Sequence, residues 1–259
     1  MLLNQEIRGI TSWMRNYLRN SGKKGYVIGI SGGLDSSVVA ALSVNSIGKN
    51  NTFGVLMPCE SSENSVVDGE ELVQNLEIQY KTVNFKNSFD HLCRNINKAS
   101  SIADNVMAKG NLKARMRMSI LYAIAESRNF LVLGTGNKSE LMVGYGTKHG
   151  DLGGIDIEPI GMYFKHEIYK LASFFPEIPK NIINKPPSAD LWPGQEDEIE
   201  IQIPYNKLDE ILLALETMNI KQLDTLDIET VEKVQNMIKN TEHKRHMPPM
   251  YIRKNNYYF

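Results

Sequence analysis

The chain has 259 residues, enough to bury one sizeable α/β core, and its formal net charge of −1 removes any general electrostatic reason to bind nucleic acid or an anionic membrane. The opening MLLNQEIRGITSW lacks a basic segment followed by a long apolar run, and nothing later approaches a bilayer-spanning length, so a cytoplasmic protein with residues 1–259 as a single domain is expected. Cys59 and Cys93 are the only cysteines and lie in unrelated contexts, which predicts two reduced structural thiols and leaves no cysteine nucleophile for hydrolysing glutamine.

In chain order, Leu3, Ile7, Ile10, Met14 and Tyr17 recur at three- and four-residue steps and predict an amphipathic first helix that covers the sheet or a second subunit. The apolar run 27–30 then reads as a buried parallel strand, and Val38, Val39, Ala41 and Leu42 begin a helix over 36–47 that ends near Gly48. Between them lies SGGLDSS, a strand-to-helix turn. Gly32 and Gly33 let the backbone point N–H groups at an anion, and Ser31, Ser36 and Ser37 add hydroxyls beside the positive end of the helix dipole. Asp35 would repel a phosphate there unless a divalent cation lies between them, which argues for a Mg²⁺-bound triphosphate or pyrophosphate. Neither G-x-x-x-x-G-K-[ST] nor G-x-G-x-x-G occurs at this turn. The loop resembles that of the ATP-pyrophosphatase superfamily, whose members split ATP between the α and β phosphates to adenylate a substrate.

Strands are predicted at 52–57, 79–85 and 130–134, and helices at 63–76, 88–97 and 110–127. Alternating strands and helices predict a doubly wound parallel sheet with helices on both faces. If winding reverses after the first strand, the strand at 130 lies beside the one at 27, and residues 135–140 face residues 31–37 across one crevice. The glycine-rich stretch 144–161 reads as a functional loop. A helix over 165–175 follows, then a proline-rich irregular segment over 176–195 and closing helices over 205–218 and 226–239.

Glu140 is expected to join Asp35 in holding Mg²⁺, which favours one or two carboxylates completed by phosphate oxygens and water. Lys165, an ammonium at a helix start, makes sense beside an anion. Asn111 and Arg115 share one helical face, whereas Arg117 points about 200° away; Arg115 is the substrate candidate, and Arg117 either pairs with a structural carboxylate or reaches ATP.

Taken together, SGGLDSS, NLKARMRM, GTGNKSE, GYGTKHGD, PIG followed by Lys165, KPPSADL, GQEDE and EHKR are similar to the motifs of ammonia-dependent NAD synthetases and appear in the same order, from Ser31 to Arg245. That resemblance implies an adenine nucleotide alpha hydrolase-like fold and adenylation of nicotinic acid adenine dinucleotide by ATP with Mg²⁺, followed by attack of ammonia to give NAD and AMP. It implies an ATP site at Ser31, Gly32, Gly33, Leu34, Asp35, Ser36, Ser37, Val38, Thr135, Lys165 and Ser188, with Asp35 and Glu140 on the metal. For the deamidated dinucleotide it implies Arg115, Lys148, Asp156, His243 and Lys244, placed at the interface of a homodimer. Asp151 is assigned to the ammonia side, where a carboxylate can bind ammonium and help remove its proton. His149 stands where tyrosine is common, and Leu152 is an extra residue before Gly153. Two rival readings are another adenylating pyrophosphatase, such as a GMP synthetase-like or tRNA-modifying enzyme, and a non-catalytic nucleotide sensor.

Overall fold

A computed structural model describes residues 2–251. Four parallel strands, β1 (Tyr26–Gly29), β2 (Thr52–Leu56), β3 (Gln79–Thr82) and β4 (Leu131–Leu133), stand in the order β3-β2-β1-β4. The reversal of winding after β1 is therefore present. β1 pairs with β4 in the register Val27↔Val132, so the loops that follow these two strands open on the same crevice.

Side-chain alternation along the strands divides the core. Tyr26 and Ile28 of β1 with Leu131 and Leu133 of β4 point to one face, where they meet α1 (Leu2–Ser21), α2 (Leu34–Ile47), α3 (Glu63–Asn75) and the later α7 (Lys165–Ala172). Val27, Val55 and Val132 point to the other, against α4 (Lys86–Asn97) and α5 (Val106–Arg128). A third apolar cluster joins α6 (Lys138–Val143), α9 (Asp197–Ile201), α10 (Tyr205–Glu216) and α12 (Ile228–Asn240) beside the crevice. The remaining short helices are α8 (Lys180–Asn184) and α11 (Ile220–Leu223).

Several boundaries move for local reasons. α5 begins at Val106, four residues before the predicted start, because the Asn105 side chain caps it by accepting from Ala108 N. The proline-rich stretch contains α8, which starts directly after Pro179, a residue already set at φ −59°. α1 packs on α2 through Ile7, Ile10, Met14 and Leu18, whereas Tyr17 is exposed and lies against Trp13. Tyr17 misses the buried stripe because it sits one residue, about 100° of rotation, from Leu18.

Candidate functional site

The crevice at the carboxyl ends of β1 and β4 is a cleft of about 610 Å³ lined from the loops after β1, β2 and β4, from α5, and from the proline-rich segment. Its floor is the turn after β1. Gly32 takes φ +73° and comes so close to the backbone of Ser65 that a Cβ would collide with its carbonyl, which is why glycine is required there. Gly32→Ala is expected to lose about 2–4 kcal/mol, combining left-handed strain with the clash, and urea denaturation of both proteins measures it. Gly33 is the N-cap of α2 and has no side chain to spend on capping. Neighbouring hydroxyls serve the turn instead: Ser36 and Ser37 both donate to Gly33 O, at 3.1 and 2.7 Å, and Ser31 Oγ accepts from Gly33 N at 3.1 Å. Ser31, Gly33, Leu34, Asp35 and Ser36 line the cleft. Ser37 is fully buried, and Val38 belongs to the core behind the turn.

The charged centre joins three elements. Asp35 comes from the first turn of α2, Glu140 from α6 and Lys165 from the start of α7. Lys165 Nζ is buried in an ion pair with Asp35 Oδ2 and lies 3.5 Å from Glu140 Oε1. Burial disfavours the ammonium, but the two carboxylates outweigh it and raise the Lys165 pKa, so the lysine is charged. Burial pushes Glu140 upward against the pull of Lys165. Asp35 Oδ1 is buried with no hydrogen-bond partner among the described residues. Such an orphaned hard oxygen next to a second carboxylate is the donor set that Mg²⁺ uses.

Glu140 stands at the third position of α6, whose N-cap Asn137 accepts from Glu140 N while Glu140 Oε2 accepts from Asn137 N. Asn-x-x-Glu is a capping-box spacing, so the helix was legible from Asn137 and Glu140 themselves. Sequence reasoning also left unassigned the polar chain behind Glu140. Tyr205 Oη lies 3.2 Å from both Glu140 Oε1 and Asp197 Oδ2, and Tyr145 Oη lies 3.0 Å from Asp197 Oδ1 and 2.5 Å from Glu200 Oε2. Asp197 falls within the GQEDE motif, and burial raises its pKa.

Thr135 and Ser188 line the cleft from the loop after β4 and from the proline-rich segment. That segment is fastened by Lys185, 2.9 Å from Asp68 and from Ser65, and by Trp192, which fills the space above Gly110. Asp151 also lines the cleft; its carboxylate accepts from Thr147 N at 2.7 Å, and burial raises its pKa. Leu152 is buried, with its carbonyl accepting from the amide of His149, which takes φ +61°.

The residues expected at the dinucleotide form a connected surface apart from Asp156. Arg115 Nε donates to Lys148 O at 3.1 Å, Lys148 Nζ to His243 O at 2.7 Å, and Lys244 Nζ to Gly144 O and Gly146 O at 2.8 Å. Of these, Lys244 lines the cleft. Asp156 is occupied elsewhere, accepting from Val132 N at 2.7 Å and from Tyr122 Oη at 3.2 Å.

Glu158 fills the space that side chains at Gly134, Gly136 and Gly161 would take, and burial, with Asp151 nearby, raises its pKa from 4.5 to about 7. The native state therefore holds this proton longer than the unfolded chain, and stability falls as pH rises from about 4.5 to about 7. Glu158→Gln removes that dependence: denaturation curves should show a gain of about 1–2 kcal/mol near pH 8, after allowance for solvent screening, and none near pH 4.

A glycine-serine turn at a helix start, a buried lysine held between two carboxylates, and a crevice at the switch point of a parallel sheet define the architecture of an α/β nucleotide-binding protein. The comparisons fix the family. A sequence model described as NAD synthase matches residues 6–248, and the chain belongs to that family. It is 42% identical over 252 residues to the NH(3)-dependent NAD(+) synthetase of Methanocaldococcus jannaschii, covering 95% of this chain and 96% of that one. Among solved structures it is similar to an NH3-dependent NAD synthetase from Campylobacter jejuni, with TM-score 0.83, 33% identity, and 97% and 100% of the two chains covered. It is also similar to an NMN synthetase from Francisella tularensis, with TM-score 0.87, 29% identity, and coverage of 96% and 98%. Among the described residues no helix is long and apolar enough to cross a membrane.

Proposed function

We propose that this chain is an ammonia-dependent NAD synthetase that amidates nicotinic acid adenine dinucleotide at the expense of ATP. The carrying observation is the buried Lys165 held between half-buried Asp35 and Glu140 beside the glycine-serine turn, in the crevice where the strand order reverses. A carboxylate oxygen is a poor leaving group against ammonia, so the nicotinate must first be activated. Its oxygen attacks the α phosphorus, pyrophosphate leaves, and the acyl-adenylate forms. Ammonia then attacks the acyl carbon, AMP departs with the former carboxylate oxygen, and one proton is released.

In this reading the turn amides, with Ser31 and Ser36, hold the ATP phosphates, and Thr135 and Ser188 complete the nucleotide site with Lys165. Asp35 and Glu140 would hold Mg²⁺, which supplies charge neutralisation for the departing pyrophosphate. Arg115, Lys148, His243 and Lys244 receive the dinucleotide, and Asp151 takes the proton from ammonium, a task suited to a carboxylate whose pKa burial raises. Asp156, which the resemblance also assigns to the dinucleotide, is engaged by Val132 N and Tyr122 Oη. We place the protein in the cytoplasm as a homodimer of single-domain subunits that use free ammonia.

Product analysis tests this. Protein incubated with ATP, Mg²⁺, ammonium and nicotinic acid adenine dinucleotide should give AMP, pyrophosphate and NAD in equal amounts. ADP with phosphate would reject the reaction class. Nicotinic acid mononucleotide run in parallel should be the poorer acceptor; preference for it would move the substrate to the mononucleotide, the chemistry carried in the name of the Francisella protein.

A further inference from the structure

Arg117 is the cleft cation that the fold leaves incompletely used. The sequence left it between pairing with a structural carboxylate and reaching ATP, and among the described residues no carboxylate forms an ion pair with it. Its fellow cations in the cleft wall are committed: Lys165 to Asp35 and Glu140, Lys185 to Asp68, and Lys244 to two backbone carbonyls. Arg117 projects from α5, is partly buried, and lines the cleft. Nε donates to Met57 O at 3.4 Å and Nη2 to Ser61 Oγ at 3.3 Å, two long bonds that orient the guanidinium plane. Nη1 is left with both hydrogens and Nη2 with one, which is the fork geometry that grips an oxyanion at two points. Burial lowers its pKa, while Asp190 and Asp151 favour its charge from a distance without closing a salt bridge. A cation partly withdrawn from water without a counter-ion favours a ligand that supplies one.

We propose that Arg117 is a further substrate-binding residue, its free guanidinium fork receiving an oxyanion of the bound substrates at the reacting end of the cleft. This rests on the adenylation reading above. Two sources offer that chemistry, the phosphates of ATP and the carboxylate of the acyl acceptor. The phosphate is favoured because its charge persists through adenylation and is returned on AMP, so a fork on it stays paired throughout. The role differs from that of Arg115, which lies exposed on another face of α5 and contacts Lys148.

The test uses the full chain and Arg117→Gln and Arg117→Lys. Calorimetric titration with ATP, and separately with nicotinic acid adenine dinucleotide, reads binding without needing turnover. Arg117→Gln should weaken ATP binding by about tenfold or more, and lower kcat/KM by about a hundredfold, with Arg117→Lys between wild type and Gln. Weakened dinucleotide binding with ATP unaffected would instead assign the fork to the acceptor. Both titrations unchanged within about threefold would overturn the proposal. Equal losses in Lys and Gln, accompanied by a matching fall in melting temperature, would also overturn it, making Arg117 a brace for residues 57–61. Wild-type product analysis is scored separately: normal AMP and pyrophosphate with an indifferent Arg117 sinks only this inference, whereas ADP formation sinks the adenylation reading.

Discussion

Lys165→Met should cost the protein both its activity and much of its stability. The substitution keeps the apolar length of the side chain and removes the one ammonium that stands between Asp35 and Glu140. Breaking a buried ion pair by deleting one partner costs about 3–5 kcal/mol because the surviving charge stays desolvated. Here one carboxylate can take up a proton, so about 2–4 kcal/mol is expected at neutral pH. The deficit should shrink in acid, since Glu140, whose pKa burial raises, takes up a proton and the variant gains relative stability as pH falls. Turnover should drop by about a thousandfold or more through lost placement of the phosphates. Urea denaturation at several pH values and steady-state kinetics check both effects. A stability change below about 1 kcal/mol would mean that the pair is not the strut the geometry implies.

Asp151→Asn should separate the two halves of the reaction. Its carboxylate lines the cleft and is oriented by Thr147 N, and desolvation by the surrounding walls raises its pKa. The amide keeps the shape and loses the base. Amidation, followed as NAD formed from accumulated acyl-adenylate, should fall by about a hundred- to ten-thousandfold, the usual worth of a positioned proton acceptor. Adenylation, followed as ATP–pyrophosphate exchange, should change by less than about tenfold. Equal loss in both half-reactions would return Asp151 to a structural part in the turn it makes with Thr147.

Much of this was written locally. The turn after β1 is legible because Gly32 and Gly33 and the serines around them are needed by the backbone itself, and the parallel sheet follows from the alternation of β and α segments. Glu140 and Lys165 could be nominated from their chemistry. The reversal of winding also put Glu140 opposite Asp35; the ion pairing of Lys165 with both carboxylates could not be read, since it depends on how α7 enters the crevice. Tyr145, Tyr205 and Asp197 escaped for the same reason: each is an ordinary residue in its own segment, and they become a chain only when α9 and α10 fold behind Glu140. Arg117 shows the converse limit, because helical phase places it opposite Arg115 but does not say which of two faces meets the cleft.

The far end of the chain has a share in the geometry of its middle. Lys244 supplies donors to Gly144 O and Gly146 O, and Arg245 to Met142 O and, beside Gly144 N, to Leu141 O, so acceptors left open where α6 ends are closed by residues a hundred positions later. Detaching that clasp would strand the carbonyls of Met142, Gly144 and Gly146 without touching the sheet. Occupancy of the crevice and fraying of the last helix are thus thermodynamically linked, and whatever steadies one must, by the same free energy, steady the other.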